Sequence, residues 1–364
     1  MNKIPEIKRP VRIWLFIGLV MVFFQVIIGG VTRLTDSGLS ITEWAVIQGT
    51  LPPMNQTEWN EAFELYKVAA KKQFETLHAD MTMSEFKVIF FWEYFHRLWA
   101  RTMGFVFLFP FLFFLYKKWI PKWLLKNLGY VIGLAILAAT FGWIMVASGL
   151  NDDKRTWVSA YKLATHLSIA TALFGVLFWT WLKSVQPRTS DFQFINLKKA
   201  SRNIIILICI QIVFGGLMAG MRAGLIHPSW PFFVDGGRLI SALSATSEAN
   251  IDGMVDYESG IFMKGIVQVF HRLTAYVLAI MIGVFYFKVR RMNISPQLRL
   301  GNNLMFGMLI VQFILGVLTI INCLGKVPLF YGAVHQAGAL ILLIFALYVN
   351  YQFQDTSENS LNNS

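Results

Sequence analysis

The sequence predicts an all-α integral membrane protein. Eight transmembrane helices form two tandem four-helix bundles, related by a pseudo-two-fold axis along the membrane normal. Three observations predict this. The chain is 56% hydrophobic and only 14% charged, with mean hydropathy +0.55, whereas soluble domains carry roughly 25% charged residues. It contains eight apolar stretches, each near the ~20 residues that a bilayer core requires. Motifs of the first four stretches recur in the last four.

Span 1, about 12–30, carries Gln25 with Gly29-Gly30 four residues on. Span 2, about 87–116, carries His96-Arg97-Leu98, and span 4, about 158–182, carries His166. Span 5, about 203–221, repeats the first pattern as Gln211 and Gly215-Gly216. Span 6, about 262–287, carries His271-Arg272-Leu273, and span 8, about 329–352, carries His335. Spans 3 and 7, about 127–149 and 302–323, share no motif. The glycine pairs read either as points of close helix approach, which small residues mark in lipid, or as part of a site. Four spans per half give repeats of the same orientation, hence an axis along the normal. The halves divide as 1–186 and 187–364.

Net charge is +12, but its distribution excludes a nucleic-acid role. Lys3, Lys8, Arg9 and Arg12 precede span 1; Lys117, Lys118, Lys122 and Lys126 link spans 2 and 3. Lys183, Arg188, Lys198, Lys199 and Arg202 link spans 4 and 5, and Lys288, Arg290, Arg291 and Arg299 link spans 6 and 7. The alternate loops are acidic or balanced, so the positive-inside rule places both termini in the cytoplasm. The N-terminal apolar run is too long for a cleavable signal peptide and lacks a small-residue cleavage site. Two cysteines, Cys209 and Cys323, offer no disulfide or zinc spacing.

Two outer loops are long. Residues 31–86 hold two N-cap signatures, Asn55 to Glu58 and Thr82 to Glu85, and so predict partly helical structure lying on the membrane surface. Residues 222–261 read as irregular structure, and the polar tail after Phe353 as mobile.

The chemistry rests on His96, His166, His271 and His335. Each has alanine four residues on (Ala100, Ala170, Ala275, Ala339), on the same helix face. That leaves room for something flat beside the ring. All four lie roughly 10–15 Å in from the outer ends of their spans at 1.5 Å per residue. Two histidines at one level on facing helices suit the two axial positions of a haem iron. A single histidine in an apolar helix is usually a hydrogen-bonded core residue. Four in a repeated unit, inside a membrane where such residues are costly, favour a site. His78 and His227 fall in the outer loops and read as surface residues.

Glu93 lies one turn before His96, and its counterpart in the second half is Gln268. A buried carboxylate needs a partner or a proton. It therefore reads as an ion-pair partner of Arg97 or Arg101, or as a proton-handling group. The two pockets differ chemically, and the first is the reactive one. Arg97 and Arg272 suit either a haem propionate or snorkelling toward the interface.

The runs Gly29–Ser40 (GGVTRLTDSGLS), Gly49–Pro53 (GTLPP), Met83–Lys87 (MSEFK) and Glu93–Arg97 (EYFHR) carry a resemblance. So do Ala164–Leu167 (ATHL), Phe270–Leu273 (FHRL) and Val334–Gln336 (VHQ). The chain resembles haem A synthase, in the branch of mitochondria and many Gram-negative bacteria. The resemblance covers essentially the whole chain and is most specific over residues 25–101. It implies a membrane oxidoreductase that oxidises a ring methyl of haem O to a formyl group, giving haem A for cytochrome oxidase assembly. It implies that His96 and His166 face the substrate haem O, that His271 and His335 ligate a haem b, and that Glu93 is functionally important. It implies a bacterial inner membrane, and as partners haem O synthase and a membrane or soluble electron carrier; a homo-oligomer stays open. Some members carry a cysteine pair in the first outer loop; residues 31–86 have none, so no thiol step is expected. The alternatives are a di-haem b-type cytochrome that only transfers electrons, which suits two similar pockets without Glu93, and a transporter, which suits polar residues at mid-membrane.

Overall fold

The computed structural model describes residues 7–42, 51–150, 155–186, 189–231 and 236–354. Lys3, Arg188, Gly49 and Thr50 of the GTLPP run, and the tail beyond Gln354 lie outside them. The described residues are helical, without strand. Eight helices are long and apolar enough to cross a membrane: α1 (Arg9–Leu34), α4 (Met83–Tyr116), α5 (Lys122–Ala147), α6 (Ala160–Val185), α7 (Ile195–Gly220), α10 (Phe262–Arg290), α11 (Pro296–Ile321) and α12 (Leu329–Tyr351). All eight expected spans are present. Several run past the expected ends: α7 begins at Ile195, where the apolar run suggests 203. The apolar stretch stops at polar residues, but lysine, arginine and glutamine are good helix formers and carry the helix onward.

The segment between α1 and α4 folds as α2 (Gln56–Ala69) and α3 (Lys71–Leu77). Asn55 caps α2 by accepting from the Glu58 amide at 3.0 Å. Thr82 and Glu85 form the capping box that starts α4. Phe63, Tyr66 and Ala70 bury against Leu39, Phe86, Ile89, Phe90 and Val158, so these helices lean on the N-terminal end of α4.

The segment between α7 and α10 departs from the irregular structure expected of it. It contains α8 (Gly236–Ser244) and α9 (Ile251–Val255). Asn250 caps α9 through the Gly253 amide at 2.8 Å, and Ala242 packs against Gly265 of α10. Helices of nine and five residues are too brief to stand out as a period in the sequence.

Within the first four spans α1 packs on α4 and α6, and α5 on α6. Within the last four α7 packs on α10 and α12, and α11 on α12. The two groups meet through α6 on α7, α1 on α12 and α6 on α12. Matching the first four spans to the last four carries each of these pairs onto another, or α6 on α12 onto itself, which fits a two-fold relation; α10 also packs on α11, a pair that α4 and α5 do not repeat. Two apolar cores result, one around Trp14, Phe174 and Leu177, the other around Ile204, Ile282 and Met305. The outward face of α4 shows Phe105, Leu108, Phe109 and Leu112, as a lipid-facing helix should.

The seam between the groups is built from small residues. A Cβ on Gly220 would lie 2.6 Å from the Ala160 Cβ, and one on Gly216 3.1 Å from the Ala164 Cα. At the other side of the seam, Gln336 of α12 donates to the Val26 carbonyl of α1 at 2.8 Å. A Cβ on Gly30 would meet the same side chain at 2.2 Å. In lipid such close approach replaces the hydrophobic drive that joins soluble helices.

Candidate active site

Each histidine-bearing helix packs beside a helix that offers its imidazole a glycine. A Cβ on Gly29 would lie 3.0 Å from His96 Cε1, on Gly142 3.1 Å from His166, on Gly215 3.6 Å from His271 and on Gly316 3.0 Å from His335. The two glycines of each expected pair therefore have different tasks. Gly29 and Gly215 clear the rings; Gly30 and Gly216 seat the other group of spans. Gly142 and Gly316 escape a reading of the sequence, because spans 3 and 7 look unrelated. The usable signal is the spacing from Gln312 to Gly316, which repeats that from Gln25 to Gly29.

One cavity of about 980 Å³ is lined by Glu93, His96, Arg97, His166, His271, Arg272 and His335. It brings together all seven residues expected from the sequence, and Ala100, Ala170, Ala275 and Ala339 line it too. The rings of His271 and His335 stand 6.5 Å apart, centre to centre, at 79°. That separation admits one metal ion between two ring nitrogens at about 2 Å from each, a normal metal–imidazole bond length. Among the described residues no three His, Cys, Asp or Glu side chains gather to hold a bare metal ion. Paired imidazoles against an apolar wall suit instead a metal that brings its other donors with it, as haem iron does.

Glu93 is buried, 3% exposed. Its Oε2 accepts from Ser40 Oγ at 2.8 Å and from the Ile41 amide at 2.9 Å; its Oε1 accepts from Arg97 Nη2 at 2.6 Å. Arg97 also donates to the Ile41 carbonyl at 2.9 Å. The ion pair read from the spacing is thus present, and the same carboxylate clips the loop after α1 onto α4.

The second group of spans repeats the clip without the charge. Gln268 Nε2 donates to the His227 carbonyl at 2.9 Å; Arg272 Nη2 donates to the carbonyls of His227 and Ser229 at 3.0 and 2.9 Å. His227 stands 186 residues after Ile41, as Gln211 does after Gln25. His227 is therefore fully buried, which corrects its reading as a surface residue. Its Nε2 is bonded to Ser229 Oγ at 2.7 Å. A loop folded back onto a helix buries a histidine that hydropathy alone leaves in solvent.

His78 is only half-buried and lies 2.5 Å from the Tyr66 hydroxyl through Nδ1. Burial lowers its pKa from the usual value, against the pull of Asp36 and Glu85. It ends α3 and does not line the cavity.

A family model described as cytochrome oxidase assembly protein, COX15-CtaA, matches residues 12–347. The chain is 37% identical to a heme A synthase of Flavobacterium psychrophilum over 346 residues, 95% of this chain and 98% of that relative. It is 39% identical to a heme A synthase of Nitrosospira multiformis over 351 residues, 96% and 94% of the two chains. It is also 39% identical to a heme A synthase of a Caulobacter species over 344 residues, 93% and 94%. With a match of this extent, the chain belongs to the COX15-CtaA family of cytochrome oxidase assembly proteins.

Proposed function

We propose that this protein is a haem A synthase, which oxidises a ring methyl group of haem O to a formyl group. One observation carries the reading: four imidazoles share one cavity, and a buried carboxylate, Glu93, stands one turn from His96, where the matching position before His271 holds Gln268. The name heme A synthase on relatives of nearly equal length supports it.

In this reading residues 1–186 form the substrate half, where His96 and His166 hold haem O. Residues 187–364 form the other half, where His271 and His335 hold haem b. When bound, haem b supplies electron transfer. The chain's own residues do the rest. The imidazoles orient the macrocycle, and the apolar wall excludes water from it. Arg97 and Arg272, on the cavity lining, take the propionates. Glu93 holds a negative charge or a proton beside the first pair, at Oε1 and Oε2. Gln268 does neither, because an amide cannot ionise at these pH values. The asymmetry weighs against a cytochrome that only transfers electrons, for which two like pockets suffice. The protein lies in the bacterial inner membrane with both termini cytoplasmic, and it works with haem O synthase and an electron carrier.

Chromatography of the haems extracted from the purified protein tests the reading. Haem O or haem A beside haem b is the expected result. Haem b alone, from cells that make haem O, overturns it.

A further inference from the structure

The four imidazoles are not held alike. Gln25, Gln211 and Gln312 stand one turn before Gly29, Gly215 and Gly316, and at the fourth such position stands Ala138, before Gly142. Each glutamine amide nitrogen donates to the carbonyl of its own histidine. The distances are 3.3 Å to His96, 3.0 Å to His271 and 3.0 Å to His335. A carbonyl only accepts, so the amide nitrogen, not its oxygen, must face the histidine.

That nitrogen also touches the ring, 3.1, 3.2 and 3.1 Å from Nδ1 respectively. At His96 and His271 it is nearly as close to Nε2, 3.3 and 3.4 Å. At those two rings it therefore lies against the ring and not in line with one lone pair, as an N–H above an aromatic face does, whereas at His335 it meets Nδ1. Such a contact fixes the ring, yet it cannot accept a ring proton.

His166 differs. Its Nδ1 lies 2.9 Å from the Ala138 carbonyl. This acceptor obliges Nδ1 to carry the proton and leaves Nε2 bare. A short side chain at Ala138 and none at Gly142 expose that carbonyl to the ring. An imidazole that donates its far N–H to a carbonyl is a more basic ligand.

We infer that Gln25, Gln211 and Gln312 are positioning residues for three of the imidazoles, that the Ala138 carbonyl takes this part for His166, and that His166 is in consequence the strongest electron donor of the four. The inference rests on the haem reading above. It makes the two imidazoles of the first pocket unequal in what holds them, whereas a glutamine holds each imidazole of the second.

Redox titration of the full-length, haem-loaded protein, followed by visible and electron-spin spectra, tests it. Gln312→Glu places an anionic acceptor against His335. It is expected to shift the ferric-over-ferrous preference of the second haem about tenfold, a fall of about 59 mV for one electron. Gln312→Leu should keep the haem but broaden its low-spin signal, because the ring is no longer fixed. Ala138→Gln should displace His166 from the carbonyl and raise the potential of the first haem only. Unchanged potentials and spectra in all three variants, with full haem content, overturn the inference. If Ala138→Gln does not accumulate, the Gln312 pair decides for the glutamines, and Ala138→Met, which crowds the carbonyl without an amide, decides for His166. His271→Ala and His335→Ala separate the two ideas. If both variants retain the second haem, the haem b assignment itself is wrong; if both lose it while the glutamine variants change nothing, only the positioning role is wrong.

Discussion

Gln336, the residue after His335, donates across the seam to the carbonyl of Val26, the residue after Gln25. A neighbour of one site's imidazole is thereby joined to a neighbour of the other site's glutamine. Gly30 is what lets Gln336 pass.

Gly30→Ala is therefore expected to cost about 1–3 kcal/mol, the usual range for overpacking. To make room, Gln336 must give up its bond to Val26. Gly133→Ala, on α5, meets nothing within 4 Å. It should be neutral or gain up to about 1 kcal/mol from the better helix former. Melting of the two variants in detergent checks the pair; equal midpoints would remove the seam's special role.

Glu93→Gln should fold and keep haem b while failing to produce haem A. The new amide can still accept through its oxygen, and Arg97 keeps the Ile41 carbonyl. The stability lost should stay below the about 3–5 kcal/mol that abandoning a buried charge costs. Accumulated haem O, or a partly oxidised alcohol form, is the expected readout. Normal haem A output would exclude a catalytic part for Glu93, and loss of the protein would make the carboxylate a purely structural clip.

Reporter fusions at residues 60, 120 and 240 should read outside, inside and outside. The lysine and arginine bias of the loops dictates that order. A reversed reading at any of them would contradict the placement of both termini in the cytoplasm.

Acid should loosen α2 and α3. Burial lowers the pKa of His78 in the folded state below the usual imidazole value of about 6.5. The unfolded chain then binds the proton more readily, so stability rises with pH up to about 6.5 and is lost as pH falls below it. Hydrogen exchange over residues 56–77, compared at pH 7.5 and 5.5, should accelerate at the lower pH. His78→Gln should abolish the difference; a persistent difference in that variant would assign it to another group.

The spans and the site histidines were legible in the sequence because both leave periodic marks. Runs of apolar residues show the spans, and His-to-Ala spacings show the four rings. Glu93 stood out because its counterpart is Gln268. The loop clips were not legible. Ser40, Ile41, His227 and Ser229 meet Glu93, Arg97, Gln268 and Arg272 only after long loops return to the helices. No local pattern records that return, and so His227 passed for a surface residue. Gly142 and Gly316 were hidden for a related reason. A glycine that clears a ring on another helix leaves no periodicity of its own.

Gly29 and Gly30 are consecutive, so they point about 100° apart around α1 at 3.6 residues per turn. One looks at His96 and the other at Gln336. Rotating α1 to relieve either contact drives a backbone atom or a neighbouring side chain into the other. The azimuth of this helix is thus locked by two missing side chains, in a solvent where neither ions nor solvent exclusion would have done it at lower cost. Gly215 and Gly216 lock α7 in the same way, against His271 and Ala164. Two dipeptides thus fix the rotation of the matching first helix of each group of four spans.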